Sequence, residues 1–139
     1  MKSISTLFRQ LSLIVVLISA FSLSAWGQTT VEMTTFSATS ASMDGVISYS
    51  TAKGGGTSNP AINDDEIRLY QNSDGTGGGY ITITATKNYT ISSVTIGSSM
   101  ETSVAHTIGS STTKSSKSDL AANGKHTISD INDQSVTIY

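Results

Sequence analysis

The stretch Tyr80-Ile-Thr-Ile-Thr-Ala-Thr86 decides the fold class. Its apolar residues, Ile81, Ile83 and Ala85, alternate strictly with residues that carry a hydroxyl group. Successive side chains of a β-strand point to opposite faces of the sheet. The stretch therefore predicts a half-buried strand, with one face towards a core and the other towards solvent.

Shorter runs of the same kind lie on both sides of this stretch and are separated by Gly, Asn, Asp and Ser. An Asp44-Gly45 turn signal precedes one of them. About eight strands are predicted, at 31–36, 46–51, 66–71, 80–86, 89–96, 104–108, 125–129 and 135–139. The apolar positions of 89–96 change phase, which predicts a bulge near residues 92–93. Because the strands are short and no helical period interrupts them, the fold class is all-β, an antiparallel β-sandwich or jelly-roll-like fold.

The first part of the chain has the features of a cleaved export signal. Lys2 and Arg9 precede an apolar run at residues 11–23, and small residues lead to an expected cleavage site before Gln28. The run has thirteen residues, whereas a transmembrane helix needs about 20. The sequence predicts a signal peptide at 1–27, an exported protein, and no membrane span after cleavage.

Residues 28–139 are predicted to form a single domain of 112 residues. Ser and Thr make up 38 of them, and the segment has a net charge of −4. The chain has no cysteine, which excludes disulfides and cysteine-ligated metals. The negative charge argues against nucleic acid as a partner. The final alternating run stops at Tyr139, which predicts a truncated domain that lacks a closing strand pair at the C-terminus.

Three segments resemble a known group of modules: GGGTSNPAINDDEIRLYQ at 54–71, YITITA at 80–85 and ISSVTIG at 91–97. They resemble small secreted β-sandwich modules of Gram-negative gut and environmental bacteria. The resemblance extends over nearly all of 31–139 and implies a secreted β-sandwich. It implies no ligand and no catalytic residue, because a fold by itself does not define an activity.

A candidate carbohydrate site lies around the glycine-rich segment 72–79. Tyr70 and Tyr80 flank this segment and fall on the polar phase of their strands. With Arg68 and Asn72 they form a patch of aromatic and hydrogen-bonding side chains, which suits a glycan or another cell-surface component. The alternative is a tyrosine pair that only shields the sheet.

A candidate calcium site combines two acidic segments. Asp64, Asp65 and Glu66 precede one predicted strand, and Asp74 follows it. Ca²⁺ takes 6–8 oxygen ligands, which these side chains would supply in part if the loops approach each other. The alternative is that they are ordinary turn residues.

No catalytic residue is assigned. His106 and His126 are in phase with apolar neighbours, and no Gly-x-Ser-x-Gly nucleophile elbow is present. We therefore expect a secreted, non-catalytic binding or adhesion module, directed towards carbohydrate. Two alternatives stay open. One is a structural subunit that assembles through an exposed sheet edge. The other is a threonine ladder at Thr82, Thr84 and Thr86 that orders water or pairs with another subunit.

Overall fold

The computed structural model describes residues 18–20, 29–64, 66–71 and 77–139. They form antiparallel β-sheets, and these described segments contain no helix. The strands are β1 (Ile18–Ala20), β2 (Thr29–Val31), β3 (Ser40–Met43), β4 (Ile47–Ala52), β5 (Ala61–Asn63), β6 (Glu66–Arg68), β7 (Tyr80–Ala85), β8 (Val94–Ser98), β9 (Thr102–Val104), β10 (His106–Ile108), β11 (Ser118–Leu120), β12 (Gly124–Ile128) and β13 (Ser135–Ile138). The all-β, sandwich-like prediction is confirmed. Within the same segments, no helix is long and apolar enough to cross a membrane.

The largest sheet has five strands in the order β10-β13-β7-β4-β3. The central strand β7 pairs with β4 on one side and with β13 on the other. Ile81 and Ile83 are buried, whereas Thr84 on the opposite face is exposed. The alternation of the sequence therefore gives this sheet one apolar and one hydroxyl-bearing face, as predicted.

The hairpin between β3 and β4 turns at the Asp44-Gly45 signal. Asp44 has φ of 49° and Gly45 has φ of 66°, which is the left-handed conformation that a type I′ turn requires at both central residues. The N–H of Val46 donates to the carbonyl oxygen of Met43 at 3.1 Å and closes the turn.

A second layer, built from two-stranded sheets, packs on the apolar face. It contains the pairs β8–β12, β9–β11 and β5–β6. One hydrophobic cluster joins both layers. Its members include Ile81, Ile83, Val136 and Ile138 from the five-stranded sheet, and Ile67, Val94, Ile96, Leu120 and Ile128 from the two-stranded sheets.

Two predicted strands are interrupted. Ile91 makes only an isolated bridge to Asp133, and β8 begins at Val94. The break lies at the predicted change of phase. The predicted strand at 104–108 is divided between β9 and β10 because the chain crosses here from the second layer to the five-stranded sheet.

The sequence interpretation missed β3, β5 and β11. The residues of β3 are Ser-Ala-Ser-Met, which alternate but include no β-branched or aromatic residue. The first predicted strand, 31–36, is also misplaced, because the ladder ends at Val31. Met33 and Phe36 are nevertheless buried, so these residues join the core without joining a sheet.

The last strand of the chain is not at an edge of its sheet. Strand β13 lies inside the sheet, between β7 and β10, and the outer strands are β3 and β10. A closing strand pair beyond Tyr139 stays a prediction, as does the export signal. Most of that signal lies outside the described residues. Strand β1 falls within it and pairs with β2, so cleavage before Gln28 would remove this pairing.

We expect Ile83→Ala to destabilise the domain by about 2–5 kcal/mol, because it leaves a cavity at the centre of β7. Thr84→Ala, one residue along and exposed on the other face, should change stability by no more than about 0.5 kcal/mol. Urea denaturation of both variants measures the difference. Similar losses for both would contradict the assignment of the two faces.

Candidate functional site

A cleft of about 430 Å³ opens at one end of the sandwich. It lies between the segment that follows β6 and the end of β13. Its lining residues combine an apolar floor with tyrosines and charged groups, and they include Glu66, Arg68, Tyr70, Ile96, Met100, Glu101, Lys114, Lys117, Leu120, Ile138 and Tyr139. The volume falls within the range of about 300–1,000 Å³ that is typical of small-molecule sites.

Backbone contacts between two glycine-rich segments hold Tyr70 at the wall of the cleft. The N–H of Gly79 donates to the carbonyl oxygen of Tyr70 at 2.9 Å. The N–H of Thr57 donates to the carbonyl oxygen of Gln71, also at 2.9 Å. A side chain at Gly56 would collide with the Tyr70 carbonyl oxygen, so the glycine allows this close approach.

Tyr139 also lines the cleft and is supported by two side chains. The ring of Tyr80 lies 5.5 Å from its centroid at a tilt of 50°. The Lys114 Nζ lies 3.8 Å from the same centroid, a cation–π contact. The N–H of Tyr139 donates to the Ala105 carbonyl oxygen at 2.9 Å, and the N–H of Ala105 donates to the Tyr139 carbonyl oxygen at 3.2 Å. The ring is therefore held in place before any ligand binds.

Charged groups of both signs surround the cleft. Arg68, Lys114 and Lys117 contribute three positive charges, and Glu66 and Glu101 contribute two negative ones. The carboxylate of Glu66 accepts a hydrogen bond from the Ser99 hydroxyl at 3.1 Å. The cleft thus offers donors and acceptors beside aromatic rings, which is the combination that a polyhydroxylated ligand requires.

The structure places the predicted carbohydrate residues unequally. Tyr70 and Arg68 line the cleft. Tyr80 contributes indirectly, because its ring packs on the ring of Tyr139. Asn72 lies outside the described residues.

The sequence interpretation overlooked Tyr139 and Lys114. Tyr139 shares the polar phase of Thr137 in the alternating run 135–139, so the period of the strand was a signal for it. Lys114 lies in a segment without strand structure. No periodicity places a side chain from such a segment over a ring, so no sequence signal identified it.

The described members of the predicted calcium set have separate partners. Asp64 Oδ2 accepts from the Asn63 amide at 3.0 Å, whereas Glu66 accepts from Ser99 at the cleft. Asp65 and Asp74 lie outside the described residues. Where the chain is described, no group of three or more His, Asp or Glu side chains converges. Calcium binding stays a prediction.

A serine and a histidine meet beside the cleft, at the outer edge of β10. The Ser115 Oγ lies 3.1 Å from His106 Nδ1 and accepts from the His106 backbone N–H at 3.0 Å. The same hydroxyl donates to the Ser116 carbonyl oxygen at 3.0 Å. The charge that acts on His106 comes from His126, whereas a catalytic triad orients its histidine with a carboxylate. We therefore interpret this contact as one that covers the free side of strand β10.

The sequence matches no family model, and no curated protein or solved structure shows significant similarity to it. The resemblance to secreted bacterial modules is therefore an expectation from the sequence, and the function has to be argued from the cleft itself.

The free energy of unfolding should depend on pH through His106. Burial lowers the pKa of His106, and the nearby His126 lowers it further. The folded state thus favours the neutral ring. The contribution of the neutral His106 ring to the free energy of unfolding is complete above the ordinary pKa of 6.5. This contribution is lost as the pH falls through that value towards the folded-state pKa.

We expect the melting temperature to fall between neutral pH and pH values below 6.5. His106→Gln should make this part of the pH profile flatter, and thermal melts at a series of pH values measure it. Asp44→Asn, a substitution in the exposed β3–β4 turn, serves as the control. An unchanged slope in His106→Gln would contradict the assignment.

Proposed function

We propose that the protein is a secreted, non-catalytic carbohydrate-binding module, and that the cleft between Tyr70 and Tyr139 is its binding site. The observation that carries the proposal is the pair of tyrosines that line one cleft together with charged hydrogen-bonding groups. Sugar rings present apolar C–H faces and a rim of hydroxyls. The apolar residues and tyrosine rings of the cleft match the former, and its charged side chains match the latter.

The support behind each ring favours binding over incidental exposure. The backbone at Tyr70 is held by hydrogen bonds to its own carbonyl oxygen and to that of Gln71, and the Tyr139 ring contacts Tyr80 and Lys114. A preformed site loses less conformational entropy when a ligand binds. This rigidity makes a weak contact with a sugar ring sufficient for recognition.

A glycan array, followed by calorimetry on the strongest hit, tests the proposal. Tyr70→Ala and Tyr139→Ala should each weaken binding by about tenfold or more, a loss of ~1.4 kcal/mol or more. Tyr139→Phe keeps the ring beneath Lys114 and should retain most of the affinity. Tyr49→Phe is a control outside the cleft, where the hydroxyl donates to the Ala38 carbonyl oxygen at 2.8 Å. A blank array for the wild type, or undiminished binding by both alanine variants, would refute the proposal.

Export is part of the proposal and is tested separately. Expression in a Gram-negative host should yield an exported product that begins at Gln28, because the preceding residues match a signal peptide. Intact-mass measurement of the exported and retained fractions identifies the product. Two bulky, charged residues next to the cleavage site, introduced as the double variant Trp26→Arg with Gly27→Arg, should block cleavage of the signal peptide. An unprocessed wild-type chain in every fraction would contradict the export proposal.

A further inference from the structure

We propose that β3 is a self-association edge, at which two copies of the chain pair β3 with β3 in antiparallel orientation around a two-fold axis at Ala41. This interaction is distinct from the carbohydrate site and does not depend on it. The partner surface is the same four-residue strand of a second copy, Ser40–Met43.

The two outer strands of the five-stranded sheet differ in how their free sides are covered. On β10, the N–H of His106 donates to the Ser115 hydroxyl at 3.0 Å, and the N–H of Ser115 donates to the His106 carbonyl oxygen at 2.8 Å. On β3, one side pairs with β4, and no strand of the described residues pairs with the other side. Ser40, Ala41 and Ser42 are exposed. The open edge is therefore at β3.

Apart from its short length of four residues, the β3 edge lacks the features that usually prevent strands from pairing between molecules. Those features are charged side chains, prolines and bulges on the edge strand. The four residues of β3 are Ser-Ala-Ser-Met. In a two-fold interface each surface meets its own copy, so a charge near the axis would face a like charge. An uncharged strand avoids this repulsion, and for this reason we choose a second copy as the occupant.

The strand residues on the face beside this edge are uncharged as well. Its hydroxyl groups form two rows across the sheet, which we call the hydroxyl rows. The first row contains Ser40, Ser50, Thr82, Thr137 and Thr107, and the second contains Ser42, Ser48, Thr84 and Ser135. Thr82 and Thr137 hydrogen-bond to each other at 3.0 Å. Pairing through β3 would continue both rows into the second copy without placing a charge among them.

The geometry of the edge selects the register. A two-fold axis perpendicular to the sheet keeps the hydroxyl-bearing faces of both copies on the same side. This requires each residue of β3 to pair with a residue of the second copy whose side chain points to the same face. An axis at Ala41 satisfies this condition, because it places Ser40 opposite Ser42 of the second copy. An axis at Ser42 would draw Asp44 into the pairing, and its turn conformation, with φ of 49°, is unsuited to a strand. A four-residue edge buries little surface, so the association should be weak and dependent on concentration.

The first test is analytical ultracentrifugation of the protein up to millimolar concentration. The average mass should rise from monomer towards dimer. The double variant Ser40→Lys with Ser42→Lys puts four lysines along the seam and should remain monomeric. Its matched control is Ser48→Lys with Ser50→Lys, which puts the same charges in the same hydroxyl rows one strand further in. Thermal melts check that both variants fold.

The outcomes separate edge pairing from other modes of association. Loss of the dimer only in the β3 variant supports the proposal. Loss in both variants indicates contact through the sheet face and overturns it. A wild type that remains monomeric at all concentrations also overturns it, and leaves the edge for an extended peptide of another protein.

A cysteine variant gives a second test that does not rely on added charge. The chain contains no cysteine, so Ala41→Cys introduces the only thiol in the molecule. Residues opposite each other in antiparallel strands have Cα atoms about 4.5–5.5 Å apart, within the range that a disulfide spans. Mild oxidation should convert most of Ala41→Cys to a dimer on a non-reducing gel.

Ser48→Cys on the neighbouring strand is the control for the cysteine test. Two such residues would lie three strand spacings apart across the seam, or about 14 Å, and should not form a disulfide. Equal cross-linking of the two variants, or preferential cross-linking of Ser48→Cys, would overturn the proposal even if the lysine variants failed to fold.

Discussion

The pairing of β7 with a strand on each side is the constraint on which the rest of the structure depends. Because β4 and β13 both align with it residue by residue, the alternation of a single strand fixes which face of three strands is apolar. A shift of one residue in either ladder would turn its buried isoleucines towards solvent. The hydrophobic core, the hydroxyl rows and the orientation of Tyr80 all follow from this register.

The same register connects the core to the cleft. Ile138 pairs with Ile81 and is buried, so the next residue, Tyr139, belongs to the opposite face and meets Tyr80. The polar phase of the sheet thus ends in two tyrosine rings rather than in further serines or threonines. From there Lys114 covers Tyr139, and both residues line the cleft together with Ile96 and Leu120 of the second layer.

The sequence predicts those strands and turns that are determined by residue alternation and by turn-forming residues. The strand at 80–86 and the Asp44-Gly45 turn are found as predicted, because each is determined by local rules. Strand β3 was missed because Ser-Ala-Ser-Met contains no β-branched or aromatic residue and its pairing is set by the hairpin that precedes β4. Which of the side chains line the cleft could not be predicted, for a related reason. Tyr70 depends on two glycine-rich segments that meet only in the fold, and Lys114 reaches its ring from a segment without strand structure.

The positions of the cleft and the open edge within one sheet are compatible with simultaneous use. The cleft is bordered by β13, whereas β3 is separated from β13 by β4 and β7. A ligand in the cleft would therefore not block β3, and pairing through β3 would leave the cleft of each copy open. Two linked copies would present two weak sites to one multivalent surface, where the second contact forms at a high effective concentration. In such an arrangement a cleft of modest affinity gains from the second contact for as long as the β3 pairing holds the two copies together.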